Sequence, residues 1–300
     1  MNHRIHYIQC PVCQGDQLNE IMKVKDHTVS GEIFPLVKCE KCQFVFTQDV
    51  PDAEAMAPYY QSEDYISHTN TSKGLINQLY QFVRKRTIRQ KRKLVMKVTG
   101  KGKGNLLEIG SGTGAFLAEM HYYGWRVKGL EPDEGARNIA KEQNRIDLGQ
   151  TSELFEFPAS SFDAITLWHV LEHVHDLHAY MERFCELLRP DGKLFIAVPN
   201  HDSKDAAIYK EYWAAYDVPR HLYHFDPAVM EKLAGAHGMN INRYLPMWYD
   251  SFYISLLSSR YKYGKSRLAG AFMAGLRSNW NALFNVKKCS SVIYIISKNN

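Results

Sequence analysis

The chain has 300 residues, room for one large domain or two modest ones, and its 45% apolar and 23% charged residues are ordinary for a soluble globular protein. No apolar run has the length of a membrane-crossing helix, and six cysteines are too few for a disulfide scaffold. The net charge of +5 is uneven: eleven Lys and Arg and no Asp or Glu lie between Ile66 and Leu107, leaving 26 basic and 32 acidic residues elsewhere, a net of −6. The opening MNHRIHYIQC lacks the apolar core of a secretory signal, so the cytoplasm is the default compartment.

Residues 1–50 carry Cys10-Pro-Val-Cys13 and Cys39-Glu-Lys-Cys42, two C-x-x-C knuckles with 25 residues between them. Four thiolates converging from two tight turns suit one structural, tetrahedral zinc ion. Short strands are expected at 21–24, 33–38 and 44–46, which together read as a zinc ribbon. A module of this size can hardly bury a sufficient core without its metal. Residues 51–72, rich in Pro, Tyr, Ser, Asp and Asn, read as a linker whose Tyr59, Tyr60 and Tyr65 pack on the next domain or reach the mouth of its site.

The spacing of Leu75, Ile76, Leu79, Phe82, Val83, Ile88, Leu94, Val95 and Val98 predicts an amphipathic helix over 73–98 with a basic opposite face. Such a face suits nucleic acid or an anionic membrane surface. The plainer reading is a solvated helix that covers one sheet edge. The 51–103 stretch thus forms a linker and a basic helix ahead of a larger domain, 104–300.

From residue 105 onward strand and helix alternate. Strands are expected at 106–109, 126–130, 147–149, 162–167, 192–198 and 291–296, and helices at 115–123, 135–143, 177–188 and 227–237. The pattern predicts an α/β fold with a doubly wound, mostly parallel sheet and a ligand beyond the carboxyl ends of its strands. The loop LLEIGSGTGAFL satisfies two fingerprints. Gly110, Gly112 and Ala115 fit a dinucleotide loop, and Gly110, Gly112 and Gly114 fit one that holds S-adenosylmethionine. Glu131, seventeen residues after Gly114, suits the ribose of either cofactor. Glu108 separates them: a carboxylate repels a pyrophosphate but favours an ammonium and a sulfonium.

LLEIGSGTG, GLEPDE, SFDAITLWHVLEHVHD and LLRPDGKLFIAVPN, in that order, resemble the class I S-adenosylmethionine-dependent methyltransferases over roughly residues 104–245. The ribbon in front is similar to a subgroup that methylates small molecules, deoxysugars among them. The resemblance implies a seven-stranded Rossmann-like sheet whose late strand, 291–296, runs antiparallel. It implies that Glu108, Gly110, Gly112 and Gly114 line the methionine end of the cofactor, that Glu131 holds the ribose, and that Thr151, Ser152 and Glu153 flank the adenine. Trp168 and His169 would close over the cofactor near its methyl group. Residues 246–288 depart from the minimal pattern as an insertion with Tyr253, Leu256, Leu257, Phe272, Met273, Leu276, Trp280 and Leu283 among basic residues: a lid, a dimer surface or a membrane-facing element.

A hydroxyl acceptor gains from a general base. In zinc-ribbon sugar methyltransferases a His in a setting similar to RHLYHF acts so, which points to His221; the family's acidic neighbour is replaced here by Arg220. His169, Glu172 and His173 stand at i, i+3, i+4, one face of a helix, where some quinone-precursor methyltransferases place a metal; the plainer reading is a hydrogen-bonded helix start. Val198-Pro199-Asn200 is not the D/N-P-P-Y motif of amino-methylating nucleic-acid enzymes, and Cys185 and Cys289 read as buried thiols. The sequence therefore predicts methyl transfer to a small molecule, with a sugar hydroxyl as the expected acceptor. The rivals are an RNA methyltransferase, a NAD- or FAD-binding oxidoreductase and an inactive binding module.

Overall fold

Strand segments buried on both faces read as apolar runs, and the centre of this molecule is built from them. The computed structural model describes residues 3–61 and 75–299, with backbone alone for 75–82; Tyr65 and the side chains of Leu75, Ile76, Leu79 and Phe82 lie outside the described residues. The N-terminal part forms β1 (Arg4–Ile5), β2 (Leu18–Lys25), β3 (Ile33–Cys39), β4 (Val45–Thr47) and β5 (Val50–Pro51). Helix α1 (Leu75–Thr99) leads to β6 (Asn105–Ile109), α2 (Ala115–Tyr122), β7 (Arg126–Leu130) and α3 (Glu134–Ile139). Then come β8 (Phe162–Trp168), α4 (Leu177–Leu187), β9 (Leu188–Pro199), α5 (Lys204–Tyr209), β10 (Tyr223–His224) and α6 (Pro227–Ala236). The chain closes with β11 (Met239–Pro246), α7 (Asp250–Tyr263), α8 (Leu268–Phe284) and β12 (Ser291–Lys298).

The main sheet has six strands in the order β11-β12-β9-β8-β6-β7. β6, β7, β8 and β9 are parallel, and β12 is antiparallel to both β9 and β11, as the resemblance implied for the late strand. The short strand expected at 147–149 is reduced to one parallel bridge between Leu130 and Gly149 beyond β7. All seven residues of β8 are buried, so its run FDAITLW is apolar save Asp163 and Thr166. Asp163 takes Lys101, Arg189 and the Asn105 amide, which compensates its burial. The helix expected at 135–143 begins one residue earlier, capped by Asp133 through the Ala136 amide at 2.6 Å, and ends as a π-turn over Ala140–Asn144.

α1 does not lie along a sheet edge. Val95 is fully buried against Leu106, Phe195 and Ile295, so the helix crosses the middle of one face, beside the glycine loop. Three of its cations turn inward to partners: Arg92 meets Glu119 at 2.9 Å, Arg84 donates to Thr113, and Lys91 sits 4.4 Å above the Trp168 ring, while Lys85, Arg86, Arg89, Lys93 and Lys97 stay exposed.

The N-terminal strands do not pack as an isolated body. β4 pairs antiparallel with β10, Tyr223 opposite Phe46 and His224 opposite Val45, giving a second sheet in the order β10-β4-β3-β2. One apolar cluster runs from Cys10, Cys39 and Phe44 through Tyr223 and Phe225 to Met230 and the main sheet.

Candidate active site and the four-cysteine cluster

The loop after β6 needs glycine for different reasons at different positions. Gly110, with φ of +66°, lies so close to Val170 that a Cβ would meet Cγ2 at 2.4 Å. Gly112, with φ of +52°, faces open space within 4 Å, the approach a ligand would use. Gly114 takes φ of +71° as the N-cap of α2. The amide of Gly112 donates to Glu131 Oε2 at 2.7 Å, and that of Asp133 donates to Oε1 at 3.1 Å. Burial raises the pKa of Glu131 despite these two bonds.

Glu108, at the end of β6, is 3% exposed, and its Oε2 has no hydrogen-bond partner. Burial pushes its pKa up to about 8, opposed by the Lys91 ammonium; burial likewise pushes Lys91 down to about 8. A buried acid with one oxygen unbonded, beside an open glycine backbone, fits a cation-bearing ligand and not a pyrophosphate. Trp168 ends β8 with its ring edge-on to Phe116, centroids 6.0 Å apart, and its indole N–H buried without a partner. Of the segment expected at the adenine, Glu153 bends back to accept the Gln150 amide at 2.8 Å and so holds its own turn.

His169 follows with φ of +61° and is drawn to Asp250, the first residue of α7, at 2.9 Å from Nε2. Burial alone would lower its pKa, but the nearby carboxylates of Asp250 and Glu172 raise it to about 10. The segment after it is not an α-helix: only Leu171–His173 form a 3-10 turn. His169, Glu172 and His173 therefore do not share a helical face. His221 takes the place expected for His169: one ligand-capable atom each from Glu172, His173 and His221 lies within 4.8 Å of the others.

Two carbonyls set the tautomers in this cluster. His221 Nδ1–H donates to the Ala215 carbonyl at 2.8 Å, and His173 Nδ1–H to the Arg220 carbonyl at 2.9 Å. A neutral ring held in this way keeps its lone pair on Nε2. The rings meet edge to face at 4.6 Å. Burial and the neighbouring His221 lower the His173 pKa to about 4, so that ring is neutral. Burial works to raise Glu172, yet the imidazoles around it, His169 first, hold it below the usual carboxylate range. Neither Glu172 oxygen makes a hydrogen bond, the His169 ring nitrogen standing 3.4 Å away. Tyr60 brings its hydroxyl to within 3.1 Å of His173 Nδ1.

Arg220 leaves this pocket. Its guanidinium, 1% exposed, binds Asp26 at 3.0 Å, Asp217 at 2.6 Å and the Tyr59 carbonyl at 2.9 Å. Asp217 in turn lies 4.0 Å from His221 Nε2, so an acid does stand by the histidine, four residues before it in the chain. Asp217, Asp26 and Asp250 were not found by sequence reasoning; no spacing links Asp26 to Arg220 across 194 residues. At the other pole the sulfurs of Cys10 and Cys42 are 3.4 Å apart and those of Cys13 and Cys39 3.6 Å apart, all four gathered within 4.8 Å. Cys289 is buried and Cys185 only partly so.

A dinucleotide sheet of the doubly wound kind is parallel throughout, with its sixth strand beside the fifth. Here antiparallel β12 is wedged between β9 and β11, and the end of β6, just before the loop, carries a buried acid with one oxygen unbonded. Those two features mark the Rossmann-like, S-adenosylmethionine-dependent methyltransferases. Residues 80–243, more than half of the chain, match the family model described as a methyltransferase domain, and the chain belongs to that family.

Among curated proteins it is 27% identical over 164 residues to the mitochondrial ubiquinone biosynthesis O-methyltransferase of Homo sapiens, covering 49% of this chain and 44% of that one. It is 30% identical over 174 residues to the ubiquinone biosynthesis O-methyltransferase of Nitrosococcus oceani, covering 53% of this chain and 71% of that one. The chain spans about half the length of the first curated relatives it matches. Among solved structures, the geranyl diphosphate C-methyltransferase of Streptomyces coelicolor aligns with a TM-score of 0.53 at 12% identity, over 77% of this chain and 86% of that one. Phosphoethanolamine N-methyltransferase 2 of Haemonchus contortus aligns with a TM-score of 0.51 at 16% identity, over 85% and 63%. At these identities the structural likeness speaks for the fold.

Proposed function

We propose that the protein transfers a methyl group from S-adenosylmethionine to a hydroxyl of a small molecule, with His221 as the base. One observation carries this: the Ala215 carbonyl behind His221 holds its Nδ1, leaving Nε2 4.0 Å from Asp217 with the His173 ring edge-to-face beside it. Bound S-adenosylmethionine supplies an electrophilic methyl group on a sulfonium that leaves readily. The protein's own part is to hold the cofactor at Glu108, Glu131 and the open backbone of Gly112, to exclude water under Trp168, and to take a proton. The acceptor hydroxyl's proton goes to His221 Nε2, and the Asp217 carboxylate stabilises the imidazolium. The relatives' names support an oxygen acceptor; the sugar or glycan expected from the resemblance has no support among them.

His221→Ala should lower turnover by ~10²–10⁴-fold, the usual worth of a positioned base, at unchanged S-adenosylmethionine affinity. Release of S-adenosylhomocysteine in the presence of phenolic and sugar hydroxyls, with NAD as a control ligand, tests the class. NAD binding without S-adenosylmethionine binding would restore the oxidoreductase reading. A second reading rests on Glu172, whose oxygens make no hydrogen bond: its carboxylate and the imidazoles of His173 and His221 make a donor set for a divalent cation. Turnover lost on chelation and restored by magnesium or manganese would favour it.

The four sulfurs support one structural zinc ion. Tetrahedral bonds of about 2.3 Å put sulfurs about 3.8 Å apart. The two close pairs, at 3.4 and 3.6 Å, approach that spacing.

A further inference from the structure

The hairpin of α7 and α8 is packed inside out. Its helices meet through small side chains: Ser251, Ser255 and Ser258 on one, Ala271, Gly275 and Ser278 on the other, all buried. A Cβ on Gly275 would lie 2.8 Å from the Phe252 ring and 3.1 Å from the Ser251 carbonyl, so nothing larger fits. With the small residues in the seam, the large apolar ones face out. Phe272, Met273, Leu276, Trp280, Leu283 and Phe284 occupy the outer side of α8; Trp280 is 63% exposed, Leu283 65% and Phe284 78%. A helix on a water-facing surface has the opposite arrangement.

An exposed apolar face of this kind marks a protein or a membrane contact. Charge decides between them. Residues 251–300 contain eight Lys and Arg and no Asp or Glu. A twofold contact between copies would set this cationic face against itself. Beside α8, at Asn281, opens a groove of about 560 Å³ lined also by Lys204, Lys210 and Lys288. Asp202 is the one carboxylate in its lining and is paired with Lys288 at 2.5 Å. Cations flanking a Trp, Phe and Leu surface complement lipid phosphates above acyl chains. Among the described residues no helix is long and apolar enough to cross a membrane.

We propose that the α7–α8 hairpin seats the protein on an anionic membrane surface, α8 lying in the plane of the interface with the lysine-lined groove at the headgroups. The hairpin is rooted at the site, since Asp250 opens α7 and binds His169. On the methyltransferase reading, to which this consequence alone is tied, the acceptor is an amphiphile that enters from the lipid interface.

Flotation of the full-length protein tests the surface without any acceptor. It should rise with vesicles of equal parts phosphatidylcholine and phosphatidylglycerol, stay down with phosphatidylcholine alone, and be released by salt. The variant Phe272→Ser/Trp280→Ser/Leu283→Ser should lose at least about tenfold in partition with S-adenosylmethionine affinity intact. Should the triple variant misfold, Trp280→Ser alone should show a smaller loss in the same direction. No flotation by the parent protein overturns the proposal, all the more so if it sediments as a dimer that the variant breaks. Equal flotation of parent and variant overturns it too, moving attachment to the basic helix α1. Absence of S-adenosylmethionine binding in a protein that floats would instead count against the methyltransferase reading.

Discussion

Glu108 is a charge stored where the fold does not want one. In the unfolded chain its carboxyl titrates near 4.5; in the folded protein burial moves it to about 8. A folded pKa above the unfolded one means that the stabilising contribution is full at low pH and fades as pH rises through about 8. Above that point the ligand-free fold carries a buried carboxylate, answered by Lys91 in part. Glu108→Gln should therefore melt at a higher temperature than the parent at pH 9, with the difference shrinking towards pH 6. The same change should weaken S-adenosylmethionine binding about 10–100-fold, the worth of one charged hydrogen bond. Melting at several pH values and calorimetric titration check both halves, and a variant that binds the cofactor normally would remove Glu108 from the site. This residue was legible in the sequence because its type and place, two positions before Gly110, already conflict with a phosphate ligand. Asp217 was not: its value lies in a 4.0 Å approach to His221 created by a turn, and nothing periodic announces a turn of that shape.

At the scale of elements, the segment between α5 and β10 holds His221, the proposed base, in place, and Arg220 locks it. Its guanidinium ties the turn after β2, through Asp26, to Asp217 beneath His221. Asp26 is itself buried and also accepts the amides of Thr28, Val29 and Ser30, so that partner of the arginine is fixed. Breaking a buried pair by removing one partner leaves uncompensated charge, worth about 3–5 kcal/mol. Arg220→Met should lose stability of that order and should lower turnover more than it lowers cofactor affinity, because the glycine loop stands on β6 and β7 instead. Denaturant unfolding and the split between kcat and cofactor Kd measure this. Alternation of apolar and polar runs made β6, β7, β8, α4 and β12 readable. β11, with exposed Asn240, Asn242 and Arg243, did not announce itself, since an edge strand is only half buried. The 3-10 turn at Leu171–His173 was misread as helix because i, i+3, i+4 spacing fits both over so short a span.

The whole molecule depends on a join that local pattern cannot show. The two C-x-x-C knuckles and the strand–helix alternation each read clearly, but as neighbours in sequence, and the pairing of β4 with β10 joins Phe46 to Tyr223, 177 residues on. Through it the Thr47 hydroxyl donates to the His221 carbonyl at 2.7 Å, the Thr47 amide donates to the Leu222 carbonyl at 2.8 Å, and His224 Nε2 lies 3.0 Å from the same hydroxyl. The cysteine cluster therefore supports His221, the proposed base, from behind, while the glycine loop is supported by the main sheet. On the proposal that the four cysteines hold zinc, removing the ion should act unevenly on the two. The sulfurs lose their shared ion, β3 and β4 loosen, and β10 loses its neighbour, so turnover should fall well over tenfold under chelation, as expected when a base is displaced. Affinity for S-adenosylmethionine should change far less, since Glu108, Gly112 and Glu131 take no support from β4. Cys42→Ser should reproduce the chelated state. Turnover and cofactor titration on the same zinc-depleted sample decide the matter. Parallel loss of both would mean that the two sheets fold as one cooperative unit, and full turnover without zinc would mean that Arg220 and the main sheet hold His221 unaided.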